Sequence, residues 1–148
     1  MRPLLLDLDG TLIDSRADLA AAVNLLLIEH GLHPLSEELV TGFVGNGARS
    51  LVRRALDAAD PARAVPRDDL VLRGFLAHYT TVLLRTTAPF PGVSAGLARL
   101  RAAGVPVAIV TNKPLAPTLA ILEGLGLREH VQAIVAGDSL PLKKPDPA

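Results

Sequence analysis

Two aspartates near the amino terminus, Asp7 and Asp9, are separated by one residue and belong to a short apolar run. On a strand, residues two apart share a face, so both carboxylates would meet the same ligand. Two carboxylates this close repel each other unless a cation lies between them or one is protonated. Because Mg²⁺ prefers oxygen ligands, the pair is a candidate magnesium site. An isolated Asp-x-Asp also fits a solvated turn, so the hypothesis needs support from elsewhere in the chain.

Further polar candidates follow a later apolar run or lie near the end of the chain. Thr111 and Asn112 come directly after such a run, and Lys143 and Lys144 form a basic pair close to the carboxyl terminus. Taken alone, a threonine after a strand is typical of a helix cap, and a lysine pair is typical of a solvated surface. A threonine that precedes a helix also lies where the helix dipole favours an anion.

Three continuous apolar segments predict the elements that position these side chains. Residues 4–8, 105–110 and 131–136 lack polar alternation, which is typical of strands covered on both faces in a parallel sheet. Helices are predicted after Pro91-Gly92 and from about 114 to 125. Ligands of open α/β sheets bind beyond the carboxyl ends of the strands. That rule selects Asp7, Asp9, Thr111 and the loop after residue 136.

Residues 15–87 between the first strand and the remainder of the sheet predict only helices. We expect helices over 16–30, from Ser36 onward, over 48–59 and over 68–85. The third would place Leu51, Val52, Ala55 and Leu56 on one apolar face, and the fourth Val71, Phe75, His78 and Val82. Ser15 with Asp18 resembles a capping box at the first helix. The predicted organisation is an α/β core, residues 1–14 and 88–148, with a helical cap, residues 15–87, inserted above the site as a lid.

Composition and charge exclude several classes of function. Hydrophobic residues make up 49% of the 148 residues, which indicates a globular chain, and 15 basic residues balance 15 acidic ones. Wholesale binding to nucleic acid or to an anionic membrane therefore has no electrostatic support. The absence of cysteine excludes disulfides, zinc-thiolate sites and thiol catalysis. No apolar stretch predicts a signal peptide or a membrane span, so a cytoplasmic location is expected.

Residues 7–15, Asp-Leu-Asp-Gly-Thr-Leu-Ile-Asp-Ser, resemble the first signature of the haloacid dehalogenase superfamily of phosphatases. The resemblance implies that Asp7 is a nucleophile forming an aspartyl-phosphate, that Asp9 is the general acid and base, and that Mg²⁺ is the cofactor. A carboxylate can take a phosphoryl group and pass it to water in two easier steps. Proton transfer by a second carboxyl contributes about 10²- to 10⁴-fold. The presence of Asp9 argues against the dehalogenases themselves, which lack that acid.

Two later segments resemble the second and third signatures of the same superfamily. Val-Thr-Asn-Lys, residues 110–113, would use Thr111 and Asn112 to bind the phosphate, and Lys-Lys-Pro-Asp-Pro, residues 143–147, would use Lys144 to pair with the nucleophile and the phosphoryl group. The fold implied is α/β, a three-layer Rossmann-like parallel sheet with an inserted α-helical cap.

The helical insertion resembles the cap of phosphoglycolate phosphatases, chiefly in Phe-Val-Gly-Asn-Gly-Ala, residues 43–48. By this resemblance Gly45 and Gly47 would let the loop approach the substrate, and Arg54 would reach the substrate carboxylate. Ordinary packing of a helix-loop-helix, with Arg54 exposed, accounts for the same residues equally well.

The superfamily's fourth signature, an acidic Gly-Asp-x-x-x-Asp loop that completes the Mg²⁺ site, is not found. Gly137-Asp138 precedes the lysine, and Leu142 stands four residues beyond Asp138, so Asp138 is interpreted as a loop residue. We therefore expect a fragment that lacks the last strands of the core and leaves the first strand with an uncovered apolar edge. Such a chain is expected to be poorly active and unstable alone.

The function predicted is hydrolysis of a small phosphate monoester, with 2-phosphoglycolate as the preferred candidate. The alternatives are a sugar-phosphate mutase or pyrophosphatase on the same scaffold, a phospho-acceptor signalling domain, and an inactive remnant that binds a partner. The sequence does not decide the oligomeric state.

Overall fold

A computed structural model describes residues 2–62 and 68–146 of the chain. The chain divides into two compact units, Met1–Asp14 with Thr87–Ala148, and Ser15–Thr86. The predicted helical module extended to Thr87, which instead belongs with the first unit. The described elements, in chain order, are β1 (Leu4–Leu6), β2 (Ile13–Asp14), α1 (Arg16–Glu29), α2 (Glu37–Thr41), α3 (Ala48–Ala59), α4 (Asp69–Val82), β3 (Ala88–Pro89), α5 (Val93–Ala102), β4 (Val107–Val110), α6 (Leu115–Gly124), a 3₁₀ turn (Arg128–His130) and β5 (Ala133–Val135).

The first unit contains the parallel sheet predicted from the three apolar segments. Its strand order is β1-β4-β5, with Leu5 opposite Ala108 and Ile109 opposite Ile134. Parallel strands place their carboxyl ends at one edge of the sheet. The residues that follow β1, β4 and β5 are therefore gathered at that edge, and the α/β fold class is confirmed.

The expectation that the first strand is buried on both faces is wrong for its first two residues. Leu4 is 38% exposed and Leu5 is 64% exposed, whereas Leu8, beyond the strand, is fully buried. Among the described strands β1 has β4 as its one neighbour, so it lies at an edge of the sheet. The exposure agrees with the uncovered apolar edge expected for the first strand, whereas the continuous apolar run by itself predicted burial because periodicity does not report a strand's place in the sheet.

A second, two-stranded antiparallel sheet was not predicted. β2 pairs with β3, with Ile13 opposite Pro89, and the Phe90 N–H donates to the Leu12 carbonyl over 3.0 Å. The pairing joins residues far apart in sequence, and each strand has only two residues, so neither shows a period that could be recognised.

The core of the first unit is aliphatic. Helix α5 contributes Leu97, α6 contributes Ile121 and Leu122, and β4 contributes Val107 and Ile109, all nearly or fully buried. This burial fixes the sheet against its helices, with each fully buried aliphatic side chain contributing about 1.5–3 kcal/mol.

The second unit, in its described ranges 15–62 and 68–86, contains four helices, as predicted. The apolar stripe of α3, formed by Leu51, Val52, Ala55 and Leu56, is buried as expected. Ser36 caps α2 by accepting from the Leu39 N–H over 3.2 Å.

The capping box proposed for α1 does not form. Ser15 precedes α1 but makes no side-chain capping hydrogen bond. Asp18 is instead buried and accepts from both the N–H and the hydroxyl of Thr86, the hydroxyl over 2.7 Å. A tertiary partner 68 residues away therefore replaces the local one, and the carboxylate ties together the two ends of this unit.

In α4 the predicted buried stripe is wrong at one position. Val71, Phe75 and Val82 are buried as predicted, but Tyr79 is buried in place of His78. His78 is partly exposed and lies 2.7 Å from the Glu29 carboxylate on α1. The Phe75 and Tyr79 rings stack with their centroids 5.9 Å apart, which favours burial of the tyrosine.

Within the described ranges, no helix has the length and apolar character needed to cross a membrane.

Candidate functional site

The turn that follows β1 holds the two aspartates at the end of the strand. The Leu8 carbonyl accepts hydrogen bonds from the N–H groups of Thr11, Leu12 and Ile13, so the chain reverses immediately after Asp9. Gly10 adopts φ of +77°, a conformation that residues with a Cβ rarely take, which explains a glycine here. Burial of Leu8 between the acids anchors the turn in the core.

Lys144 lies directly against the first of these aspartates. Its Nζ is 2.9 Å from Asp7 Oδ1, and both side chains are about two-fifths exposed. The segment proposed as the third signature therefore returns its ammonium to the end of β1, across more than 130 residues of sequence. Lys143 is exposed. Pro147, the last residue of that segment, lies outside the described residues.

Thr111 and Asn112 follow β4, the strand next to β1. Both are buried, and the Thr111 N–H donates to the Val135 carbonyl over 2.9 Å, which extends the pairing of β4 with β5. Asn112 Nδ2 donates to the Lys144 carbonyl over 3.1 Å, so the loop after β4 holds the backbone that carries the lysine. The Thr111 hydroxyl accepts from the Lys113 N–H, and its own proton can donate to an anion.

Lys113 also reaches this group, although the sequence analysis did not single it out as a site residue. Its Nζ lies 3.1 and 3.3 Å from the two carboxylate oxygens of Asp9. The side chain is 4% exposed, against 15% for Asp9. The position of Lys113 next to the candidate site residues Thr111 and Asn112 could have indicated a role. Its burial could not have been predicted, because lysines are mostly exposed.

The loop after β5 forms hydrogen bonds with residues that follow β4. The Gly137 N–H donates to the Lys113 carbonyl over 2.8 Å. Asp138 Oδ1 accepts from the N–H of Leu115, the first residue of α6, over 2.8 Å. Asp138 is thus a loop residue that satisfies a helix amino terminus, where a negative charge is favoured.

The four charged side chains form two ion pairs. Asp7 pairs with Lys144, and Asp9 pairs with Lys113. Their formal charges cancel, so an added phosphate dianion with one divalent cation would leave the group neutral. The two carboxylates fit a Mg²⁺ site of the kind that takes one or two protein carboxylates together with substrate phosphate and water. A carboxylate has about four lone-pair positions, so a lysine bond does not exhaust it. In the described part of the chain, no three or more His, Cys, Asp or Glu side chains are grouped so as to hold a metal by themselves.

The remaining predicted site residues belong to the second unit. Gly45 and Gly47 both have positive φ, of +120° and +86°, and Gly47 immediately precedes α3. Arg54 lies on α3 and is partly buried. Their placement in the substrate site stays a prediction from the resemblance.

The chain is similar in sequence and in fold to a known family of proteins. The model of the family called haloacid dehalogenase-like hydrolase matches residues 4–148. The chain belongs to that family. A phosphoglycolate phosphatase of Cereibacter sphaeroides is 42% identical to this hydrolase over 148 residues, which is 100% of this chain and 68% of the relative.

Solved structures give the same result for the fold of this hydrolase. A predicted phosphoglycolate phosphatase from Haemophilus somnus has a TM-score of 0.92 at 34% identity, over 98% of this chain and 66% of that one. CbbY from Rhodobacter sphaeroides, solved in complex with phosphate, has a TM-score of 0.79 at 26% identity, over 98% and 67%. The chain therefore spans about two thirds of the length of the proteins that it matches.

Proposed function

We propose that the chain carries the phosphoryl-transfer site of a magnesium-dependent phosphatase that hydrolyses small phosphate monoesters, with 2-phosphoglycolate as the preferred substrate. The observation that carries the proposal is the Lys144 ammonium 2.9 Å from the Asp7 carboxylate at the end of β1. A carboxylate held beside a fixed ammonium can attack phosphorus while the ammonium stabilises charge on the transferring group. The family, with a relative named as a phosphoglycolate phosphatase, supports the same assignment.

The reaction begins with attack by an Asp7 oxygen on phosphorus. The bond from phosphorus to the ester oxygen breaks, and Asp9, which takes up a proton from water before this step, gives that proton to the departing alkoxide. Asp9, now a carboxylate, takes a proton from water, whose oxygen attacks the aspartyl-phosphate. The bond between phosphorus and Asp7 breaks, inorganic phosphate leaves, and both aspartates return to their starting forms.

The other polar groups bind and orient the phosphate. The Thr111 hydroxyl and the Lys144 ammonium are donors at the ends of neighbouring parallel strands. Mg²⁺, when bound through Asp7 and Asp9, would neutralise charge on the phosphoryl oxygens. Asn112 supports this arrangement because its amide holds the Lys144 backbone.

The preference for 2-phosphoglycolate rests on the second unit. We assign to Gly45 and Gly47 a close approach to the substrate, and to Arg54 an ion pair with its carboxylate. Positive φ at both glycines is compatible with this role, because a Cβ is disfavoured there. A sugar monophosphate has no second anionic group for Arg54 to pair with, whereas the second phosphate of pyrophosphate could take the place of the carboxylate.

The test is Mg²⁺-dependent release of phosphate from 2-phosphoglycolate by the wild-type chain and by Asp7→Asn. Asp57→Asn is the matched control, because Asp57 is an exposed aspartate on α3. Circular dichroism establishes that all three chains are folded. We expect turnover by the wild type and the control and none by Asp7→Asn. Turnover that survives in Asp7→Asn would overturn the nucleophile, and a folded wild type without turnover would overturn the assignment of activity to this chain.

Substrate and product analysis separates the alternatives. Glucose 1-phosphate and inorganic pyrophosphate are offered beside 2-phosphoglycolate, and the products are resolved by ³¹P NMR. Isomerisation of the sugar phosphate without phosphate release would establish a mutase, and preferential cleavage of pyrophosphate a pyrophosphatase. Arg54→Met should raise KM for 2-phosphoglycolate and leave KM for glucose 1-phosphate unaffected.

A further inference from the structure

Lys113 is a buried cation whose ammonium meets the second aspartate of the site. Lysine is almost never fully buried unless it is paired. Here the side chain is 4% exposed, and its Nζ lies within 3.3 Å of both Asp9 carboxylate oxygens. The partner is the residue to which the proposed function gives both proton transfers.

The backbone of Lys113 is held on both sides of its Cα. Its N–H donates to the Thr111 hydroxyl over 3.1 Å, and its carbonyl accepts from the Gly137 N–H over 2.8 Å. These bonds come from the loops after β4 and β5, so the direction in which the side chain leaves the backbone is fixed by two strands of the sheet. Burial then limits the rotamers of the four-carbon side chain, so the ammonium is held in one position beside Asp9.

The Asp9 carboxylate needs such a partner. Lys144 pairs with Asp7, two residues earlier, and carboxylates this close repel each other when both are charged. Repulsion from the Asp7 carboxylate favours rotation of the Asp9 carboxylate away from it. Lys113 opposes that rotation because it contacts both carboxylate oxygens.

We propose that Lys113 is a positioning residue that holds the Asp9 carboxylate where it can exchange a proton with the leaving group and with water. This inference rests on the proposed function for the role of Asp9, and on the observed ion pair for the role of Lys113. Lys113 touches neither phosphate nor leaving group in this scheme and acts through Asp9. Misplacement of a reacting group by about 1 Å can cost about 10²-fold in rate.

The first measurement tests the coupling without any need for turnover. Urea midpoints are compared for the wild type, Lys113→Met, Asp9→Asn and the double variant. Methionine keeps an unbranched stem and removes the ammonium. Because each single change removes one member of the ion pair and the double change removes both, we expect the double variant to lose less than the sum of the single losses. Additive losses would overturn the proposal.

The second measurement separates positioning from a merely structural ion pair. Values of kcat/KM, which report steps up to aspartyl-phosphate formation, are compared for 2-phosphoglycolate and 4-nitrophenyl phosphate. The alkoxide of the first needs a proton from Asp9, whereas nitrophenolate leaves unprotonated. We expect Lys113→Met to lower kcat/KM about 10²-fold on 2-phosphoglycolate and far less on the aryl ester. Lys143→Met, a change at an exposed lysine, should alter neither value.

Equal losses on the two esters would overturn the positioning role, because a general structural defect does not distinguish between leaving groups. A wild-type chain without turnover on either ester contradicts the proposed function instead, and the urea comparison alone then decides whether Lys113 and Asp9 are coupled.

Discussion

Gly137 passes so close to Asn112 that a Cβ on Gly137 would lie 2.1 Å from the Asn112 carbonyl oxygen. No side chain can occupy that space unless one of the two backbones moves. The loops after β4 and β5 are therefore in direct backbone contact, and the hydrogen bond from Gly137 to Lys113 depends on this approach. The position of the lysine that meets Asp9 is thus set partly by a residue that carries no side chain.

Gly137→Ala is expected to destabilise the chain by about 1–3 kcal/mol, the usual cost of overpacking. Gly96→Ala is the matched control, since a Cβ on Gly96 in α5 meets no atom within 4 Å. Alanine in that helix should stabilise by up to about 1 kcal/mol. Urea unfolding of both variants measures the difference, and equal effects would show that the contact at Asn112 is not tight.

Asp18→Asn is expected to destabilise the second unit. The buried carboxylate accepts from the Thr86 N–H and hydroxyl, and asparagine would turn an NH₂ group towards one of those donors. Hydrogen bonds to charged groups contribute about 1.5–3 kcal/mol, so a loss of that size is expected in urea unfolding. Glu38→Gln, a change of an exposed carboxylate on α2, is the control, and a loss no larger than the control's would contradict this role for Asp18.

Lys144→Met should separate activity from stability. Both members of its pair with Asp7 are about two-fifths exposed, so the loss of unfolding free energy should be at most about 1 kcal/mol. Turnover should fall by about 10²-fold or more, because a preorganised donor to the transferring phosphoryl group is removed. Phosphate release and thermal unfolding are measured on the same preparations, with Lys143→Met alongside. Unchanged turnover in Lys144→Met would remove this lysine from the mechanism.

The pair between α1 and α4 makes stability depend on pH. The hydrogen bond from His78 lowers the pKa of the Glu29 carboxyl. A lowered pKa in the folded state means that the stabilisation is present above the unfolded pKa and is lost as the pH falls through the folded one. The advantage of the wild type over Glu29→Gln should therefore shrink between about pH 5 and pH 3. Thermal midpoints across that range test it, and a constant or growing advantage would contradict the sign.

Local patterns in the sequence were sufficient where burial follows a period. The stripe from Leu51 to Leu56 and the cap at Ser36 form as expected because each depends on residues within one or two helical turns. The parallel sheet also follows from the alternation of apolar segments and helices. These patterns predict Asp7, Asp9 and Thr111 at the carboxyl ends of β1 and β4.

The features that were missed depend on distant partners. Asp18 was assigned to a local cap but bonds to Thr86, and Tyr79 rather than His78 turns inward because Phe75 offers it a ring to stack on. Lys113 was overlooked because its partner lies 104 residues earlier in the chain. In each case a polar or aromatic residue has two acceptable local states, and only tertiary contact selects between them.

The bond between Asp18 and Thr86 joins the first turn of the helical unit to its last residue. This hydrogen bond holds the two ends of the segment at a fixed distance from each other, so the flanking residues always connect to it at the same two points. Insertion of such a segment into an α/β core requires only two connections that lie close together. Replacement of the whole helical unit then requires no change in the strand and turn that carry the two aspartates.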